Sequence, residues 1–109
     1  MTSSLKPAIT VSVDGAALHA ERAPGTDPAA PALVFLHAGV TDGRLWQPQW
    51  DAFGRHPRLR YDRRGFGRSS QPAEGYDYDT LASDLNELLV ELDLTGAVLV
   101  GFSMGGGEV

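Results

Sequence analysis

A serine stands between glycines in Gly101-Phe102-Ser103-Met104-Gly105, directly after the apolar run Ala97-Val98-Leu99-Val100. A serine hydroxyl attacks a carbonyl only if it is presented clear of its surroundings and a base can take its proton. The spacing G-x-S-x-G at a strand end meets the first condition. The turn there is strained, and side chains two residues before and after the serine would crowd it. A helix expected to start at Met104 would point unpaired N–H groups at the same spot. The pattern alone fits a glycine-rich loop with an incidental serine equally well. Two other glycine loops are excluded. A phosphate-binding loop needs Lys and then Ser or Thr after its last glycine, whereas Glu108 and Val109 follow here. Neither 65–70 nor 101–106 supplies G-x-G-x-x-G after the first strand of a sheet.

Other chemistry-bearing residues cluster in two places. His37-Ala38-Gly39 follows the apolar run Ala32–Leu36, and Asp62-Arg63-Arg64-Gly65-Phe66-Gly67-Arg68-Ser69 follows Leu59-Arg60-Tyr61. His19 and His56 read as surface histidines in a hairpin and a polar loop. Arg60, Arg63 and Arg68 read as exposed charges, Arg64 as the arginine that ties the turn of its loop together, and Trp46 and Trp50 as helix packing.

These residues need elements to position them. Ala8–Val13 is β-rich, Asp14-Gly15 is a strong two-residue hairpin signal, and Ala16–Glu21 reads as the returning strand. The three prolines in 23–31 make that stretch a loop. Ala32–Leu36 and Ala97–Phe102 are continuous apolar runs, suited to strands buried on both faces of a parallel sheet. A weaker strand is expected at Leu59–Asp62. Leu45–Phe53 can form a short helix with Pro48 in its first turn. In 79–92 the residues Leu81, Leu85, Leu88, Leu89 and Leu92 form one helical stripe, with Asp77 as N-cap, Tyr76 and Leu81 at staple positions, and Gly96 at the far end. A hairpin followed by strand–helix–strand–helix–strand predicts an α/β architecture, mostly parallel after its first two strands.

Composition sets outer limits. The chain has 109 residues with 42% hydrophobic content, a net charge of −5 and no cysteine. Negative charge argues against nucleic acid or an anionic membrane as the main partner. The absence of cysteine rules out disulfides, thiolate metal sites and cysteine nucleophiles, and fits a cytoplasmic setting. No secretory signal and no membrane-spanning run is evident.

Taken together, the three motifs resemble the α/β-hydrolase fold superfamily. In that family the third strand ends in His-Gly, the next loop reads D-x-R-G-x-G-x-S, and the elbow reads G-x-S-x-G. Asp62, Arg64, Gly65, Gly67 and Ser69 match the middle motif, and Gly101, Ser103 and Gly105 the last. The resemblance covers nearly the whole chain and implies strands one to five of an eight-stranded sheet in the order 1-2-4-3-5. It implies Ser103 as nucleophile, the N–H groups of Gly39 and Met104 as oxyanion donors, and His37 as a structural brace rather than the base. Ala38 departs from the family's glycine. Counting from the glycine instead of the histidine would make Val40 the donor; the strand end favours counting from His37. No metal or cofactor is implied.

Thr41-Asp42-Gly43-Arg44-Leu45-Trp46 is loosely similar to the T-D-x-R-x-W run of 3-oxoadipate enol-lactonases, and the other loops are shared with esterases and cofactor-free haloperoxidase-like hydrolases. Serine rather than aspartate at the elbow argues against dehalogenase or epoxide hydrolase chemistry. The expected substrate is a small acyl compound, an ester or lactone.

In the family, the acid and the histidine that complete the triad follow the nucleophile. No histidine follows Ser103, and Glu108 is too near to serve. The expectation is therefore an N-terminal portion of one hydrolase domain, marginally stable alone. It would be completed by a C-terminal polypeptide, or else be an inactive half-domain or one part of a split protein.

Overall fold

The computed structural model describes residues 8–39 and 41–102. Five strands form one sheet: β1 (Ala8–Val13), β2 (Ala16–Ala23), β3 (Leu33–Leu36), β4 (Arg58–Tyr61) and β5 (Val98–Gly101). Two helices, α1 (Gln47–Ala52) and α2 (Tyr78–Glu91), interleave with the last three strands. The strand order is β1-β2-β4-β3-β5, as the family resemblance implies. β2 runs antiparallel to both β1 and β4, whereas β3 runs parallel to both β4 and β5.

β3 serves two cores, because successive side chains point to opposite faces, whereas β5, last in the strand order, is only half-buried rather than buried on both faces as its apolar run predicts. Val34 and Leu36 of β3 join Leu18, Ala20, Leu59 and Tyr61 beneath Leu85 and Leu88 of α2. Leu33 and Phe35 face the other way and pack with Trp46 and Trp50. Fully burying a leucine, valine or phenylalanine contributes roughly 1.5–3 kcal/mol, so both helices are held mainly by these stripes. Asp77 caps α2 by accepting the Thr80 N–H at 3.1 Å. No described helix is long and apolar enough to cross a membrane.

Several elements differ from the sequence reading. β2 extends to Ala23 because Arg22 and Ala23 pair with Leu59 and Arg58. β4 stops at Tyr61; the Asp62 N–H still donates to the His19 carbonyl of β2 at 2.9 Å, while its side chain reaches Gly43. The expected helix 45–53 divides into a 3-10 turn, Gly43–Trp46, and α1. Asp42 starts that turn by accepting the Arg44 N–H at 2.9 Å.

Two of the arginines read as exposed, Arg60 and Arg63, are instead buried, and Arg68 is exposed as expected; Arg64, the motif arginine expected to tie the turn together, is buried as well. Arg60 faces α1 from an interior strand. Its Nε donates to Glu21 at 2.8 Å, and its guanidinium lies 4.5 Å from the centre of the Trp50 ring. Such cation–π contact is an alternative to a second carboxylate. His19 is corrected as well. β2 is paired on both edges, so His19 is half-buried and its Nε2 is screened from solvent.

Candidate active site

Leu36 at the end of β3 is in register with Tyr61 at the end of β4 and with Gly101 at the end of β5. The His37 loop, the Asp62–Ser69 loop and the segment entering the serine motif therefore leave the sheet at one level. In parallel α/β sheets this carboxyl edge is where ligands bind. Gly101 closes β5, and Phe102 beyond it is exposed. Ser103, Met104, Gly105 and Val40 lie outside the described residues.

Asp62 joins two of the three loops. It is fully buried; Oδ1 accepts the Gly43 N–H at 2.7 Å, and Oδ2 accepts the Arg68 N–H at 2.9 Å and its Nε at 3.0 Å. The middle motif's glycines follow from this packing. Gly67 has a φ of 51°, and a Cβ there would stand 2.5 Å from Asp62 Oδ2. Gly65 has a φ of 82°, with the Tyr76 ring 2.5 Å from where its Cβ would be. Any side chain at either position would be both strained and obstructed.

Arg64 anchors the base of the same loop. Its Nε and Nη2 hold Asp84 of α2 as a fork at 2.7 and 2.8 Å, and Nη2 also donates to the Asp14 carbonyl at 2.7 Å. Helix, hairpin turn and loop are thereby fixed to one planar group.

Ser69, the last position of the middle motif, and its neighbour Ser70, which no motif singles out, both bind β2. Once β4 has ended, the edge of β2 still needs partners. Ser69 Oγ accepts the His19 N–H at 2.9 Å and donates to the Asp62 carbonyl. Ser70 Oγ accepts the Ala17 N–H at 2.9 Å, and its own N–H returns a bond of the same length to the Ala17 carbonyl. The hydroxyls stand in for a missing strand, a role no local sequence pattern would reveal.

His37 is buried between the loops. Nε2 lies 2.9 Å from the Arg63 N–H, which can only donate, and Nδ1 lies 2.7 Å from the Ala38 carbonyl, which can only accept. The ring is therefore neutral, with its proton on Nδ1. Burial, the largest influence, lowers its pKa below the ordinary histidine value, and the nearby Arg63 adds to this, against the Ala38 bond and the charges of Asp62 and Asp42. Both ring nitrogens are occupied, so His37 cannot act as a base toward a serine without breaking a bond.

A pH dependence follows. The unfolded chain binds the histidine proton first, so the contribution of His37 is complete above about pH 6.5 and is lost as pH falls through its lowered folded value. Urea midpoints compared between pH 7.5 and pH 5 should fall more steeply for the native chain than for His37→Gln. Parallel slopes would mean that the ring does not stay neutral. Asp42 responds only at lower pH, because hydrogen bonds from the Arg44 side chain hold its carboxyl down at about 2.

A model of the alpha/beta hydrolase fold matches residues 31–109. The chain belongs to the α/β-hydrolase fold family. A non-heme chloroperoxidase of Kitasatospora aureofaciens is 46% identical over 79 residues, covering 71% of this chain and 29% of the relative. A bromoperoxidase structure from Bacillus anthracis superposes with a TM-score of 0.84 at 42% identity, covering 93% of this chain and 37% of that one. An enol-lactonase structure from Burkholderia xenovorans LB400 gives 0.83 at 33% identity, covering 90% and 38%. The chain thus spans about a third of the length of these relatives.

Proposed function

We propose that the α/β-hydrolase chain supplies the nucleophile and oxyanion loop of a serine hydrolase acting on an ester, lactone or related small acyl substrate. The observation that carries this reading is the shared register of Leu36, Tyr61 and Gly101, which brings the His37 loop, the Asp62 loop and the segment entering the serine motif to one edge. Ser103 attacks the substrate carbonyl. The carbonyl oxygen becomes an oxyanion and is met by the N–H groups of Gly39 and Met104. Each such donor is typically worth about 3–4 kcal/mol in the transition state. The tetrahedral adduct collapses to an acyl-serine, the leaving alkoxide takes a proton, and water then releases the acid. Similarity to an enol-lactonase supports a carboxylic ester or lactone as the substrate.

In this reading the base and its orienting acid are supplied by polypeptide outside these residues, which span about a third of the relatives' length. A second reading, an inactive half-domain or one part of a split protein, is favoured by the chain covering only 29–38% of the relatives named above. One experiment addresses both. The chain is joined to a downstream hydrolase segment carrying an aspartate and a histidine, then exposed to a fluorophosphonate probe. Ser103 takes the label, and Ser103→Ala does not. The chain alone hydrolyses esters no faster than background, since losing the triad typically costs about 10⁶-fold in turnover. Retained activity in the joined Ser103→Ala protein would remove the serine assignment.

A further inference from the structure

The Ala38 carbonyl receives two hydrogen bonds within its own loop. His37 Nδ1–H approaches at 2.7 Å and the Thr41 hydroxyl at 2.6 Å. These fill both lone pairs of one oxygen. The other end of the same peptide unit is the Gly39 N–H. Because a trans peptide is planar, its C=O and N–H point in opposite directions. Fixing where the Ala38 oxygen points therefore fixes where the Gly39 hydrogen points. A carbonyl that accepts two bonds also polarises its peptide, which makes the N–H a stronger donor.

The two side chains that hold this carbonyl are themselves secured. His37 is only 1% exposed, carries Phe66 edge-on at 5.6 Å, and accepts the Arg63 N–H from the neighbouring loop. The reverse tie runs from the Gly43 N–H to Asp62. The segment 37–43 is thus tied across to 62–63 at both ends, with the pinned peptide in between.

We propose that Thr41 and His37 are positioning residues that aim the Gly39 N–H at the developing oxyanion by holding the Ala38 carbonyl from its far side. The catalytic use of that N–H rests on the serine hydrolase reading; the pinned peptide does not.

The first arm of the test uses the 109-residue chain and NMR. The His37 ring should carry its proton on Nδ1. The Ala38 carbonyl ¹³C resonance should move in Thr41→Val, which keeps the shape but removes the donor, and return in Thr41→Ser. The native tautomer is read without any substitution, so a variant that fails to fold leaves the test standing. A proton on Nε2, or an Ala38 resonance indifferent to Thr41→Val, would overturn the proposal.

The second arm uses the joined polypeptide. Thr41→Val should slow ester turnover by roughly 10- to 100-fold with KM little changed, part of the 10²–10³ that removing a whole donor costs. Thr41→Ser should restore it. Turnover by Thr41→Val equal to the native rate would overturn the aiming role. An absence of any Ser103 labelling would instead overturn the serine reading, while the NMR arm still reports on the peptide.

Discussion

Replacing Asp62 by asparagine is expected to destabilise the chain by about 3 kcal/mol, although the two side chains have nearly the same shape. The asparagine oxygen can still accept the Gly43 N–H. Its NH₂ group would face the Arg68 N–H and Nε, which now both donate to Oδ2. Donor against donor in a fully buried position loses two charge-assisted bonds and leaves the groups unsatisfied. Turning the amide over only transfers the conflict to Gly43. Small domains have total stabilities on the order of 5–15 kcal/mol, so this single exchange would remove a large fraction. Urea unfolding followed by Trp46 and Trp50 fluorescence measures it. A loss under about 1 kcal/mol would mean that water or a rearranged Arg68 replaces the lost acceptor. The cost would also fall on the Gly43 end of the loop that carries Gly39, so loop order and stability should decline together.

The second large effect is expected at Arg64. Removing one member of a buried ion pair leaves the other charged and unpartnered, typically at about 3–5 kcal/mol. Asp84 is only 2% exposed, and the fork from Arg64 supplies both of its described hydrogen bonds. Arg64→Ala should therefore approach the full figure. Arg64→Lys should recover little of it, because an ammonium cannot present two parallel donors and still reach the Asp14 carbonyl. The informative comparison is Arg64→Met with Asp84→Leu. Removing both charges together should restore most of the stability lost by Arg64→Met alone, since apolar replacements of a whole buried pair are often neutral or better. If the double variant is no more stable than the single one, the pair's value lies in its bonds to the hairpin and loop rather than in its charge balance. Denaturant midpoints at constant slope decide between them.

Much of the frame was legible because single residues act locally. Asp14-Gly15 specifies the hairpin, and Gly15 takes the expected positive φ of 81°. The leucine stripe and the Asp77 cap define α2, and the apolar runs define β3 and β5. The strand order was not available from periodicity; it entered through the family resemblance. What was misread depends on tertiary partners. Arg60 reads as a surface charge until Glu21 comes alongside it and Trp50 is laid over it. His19 reads as exposed because a hairpin is usually two-stranded and open, and here β4 closes its second edge. The candidate site divides in the same way. The motif residues were identifiable, and Asp62, Arg64 and His37 occupy buried positions joining loops to loops. Ser69 and Thr41 stand at motif positions, but they, like Ser70, act through carbonyls and amides that folding brings to them, so the pattern names the residues without their partners.

The hydroxyls of Ser69 and Ser70 bear on which changes of length the chain can absorb. Each meets one amide of β2, and strand positions lie about 3.3 Å apart. One residue inserted or deleted between Asp62 and Ser69 would carry both oxygens a full strand position away from those amides. Substitution in that loop can be answered by small movements, but a change in its count cannot. The turn at Gly96, where an added Cβ would meet nothing within 4 Å, has no such fixed tally. Descendants of this sequence should therefore vary in length around residue 96 and keep the interval from 62 to 70 constant.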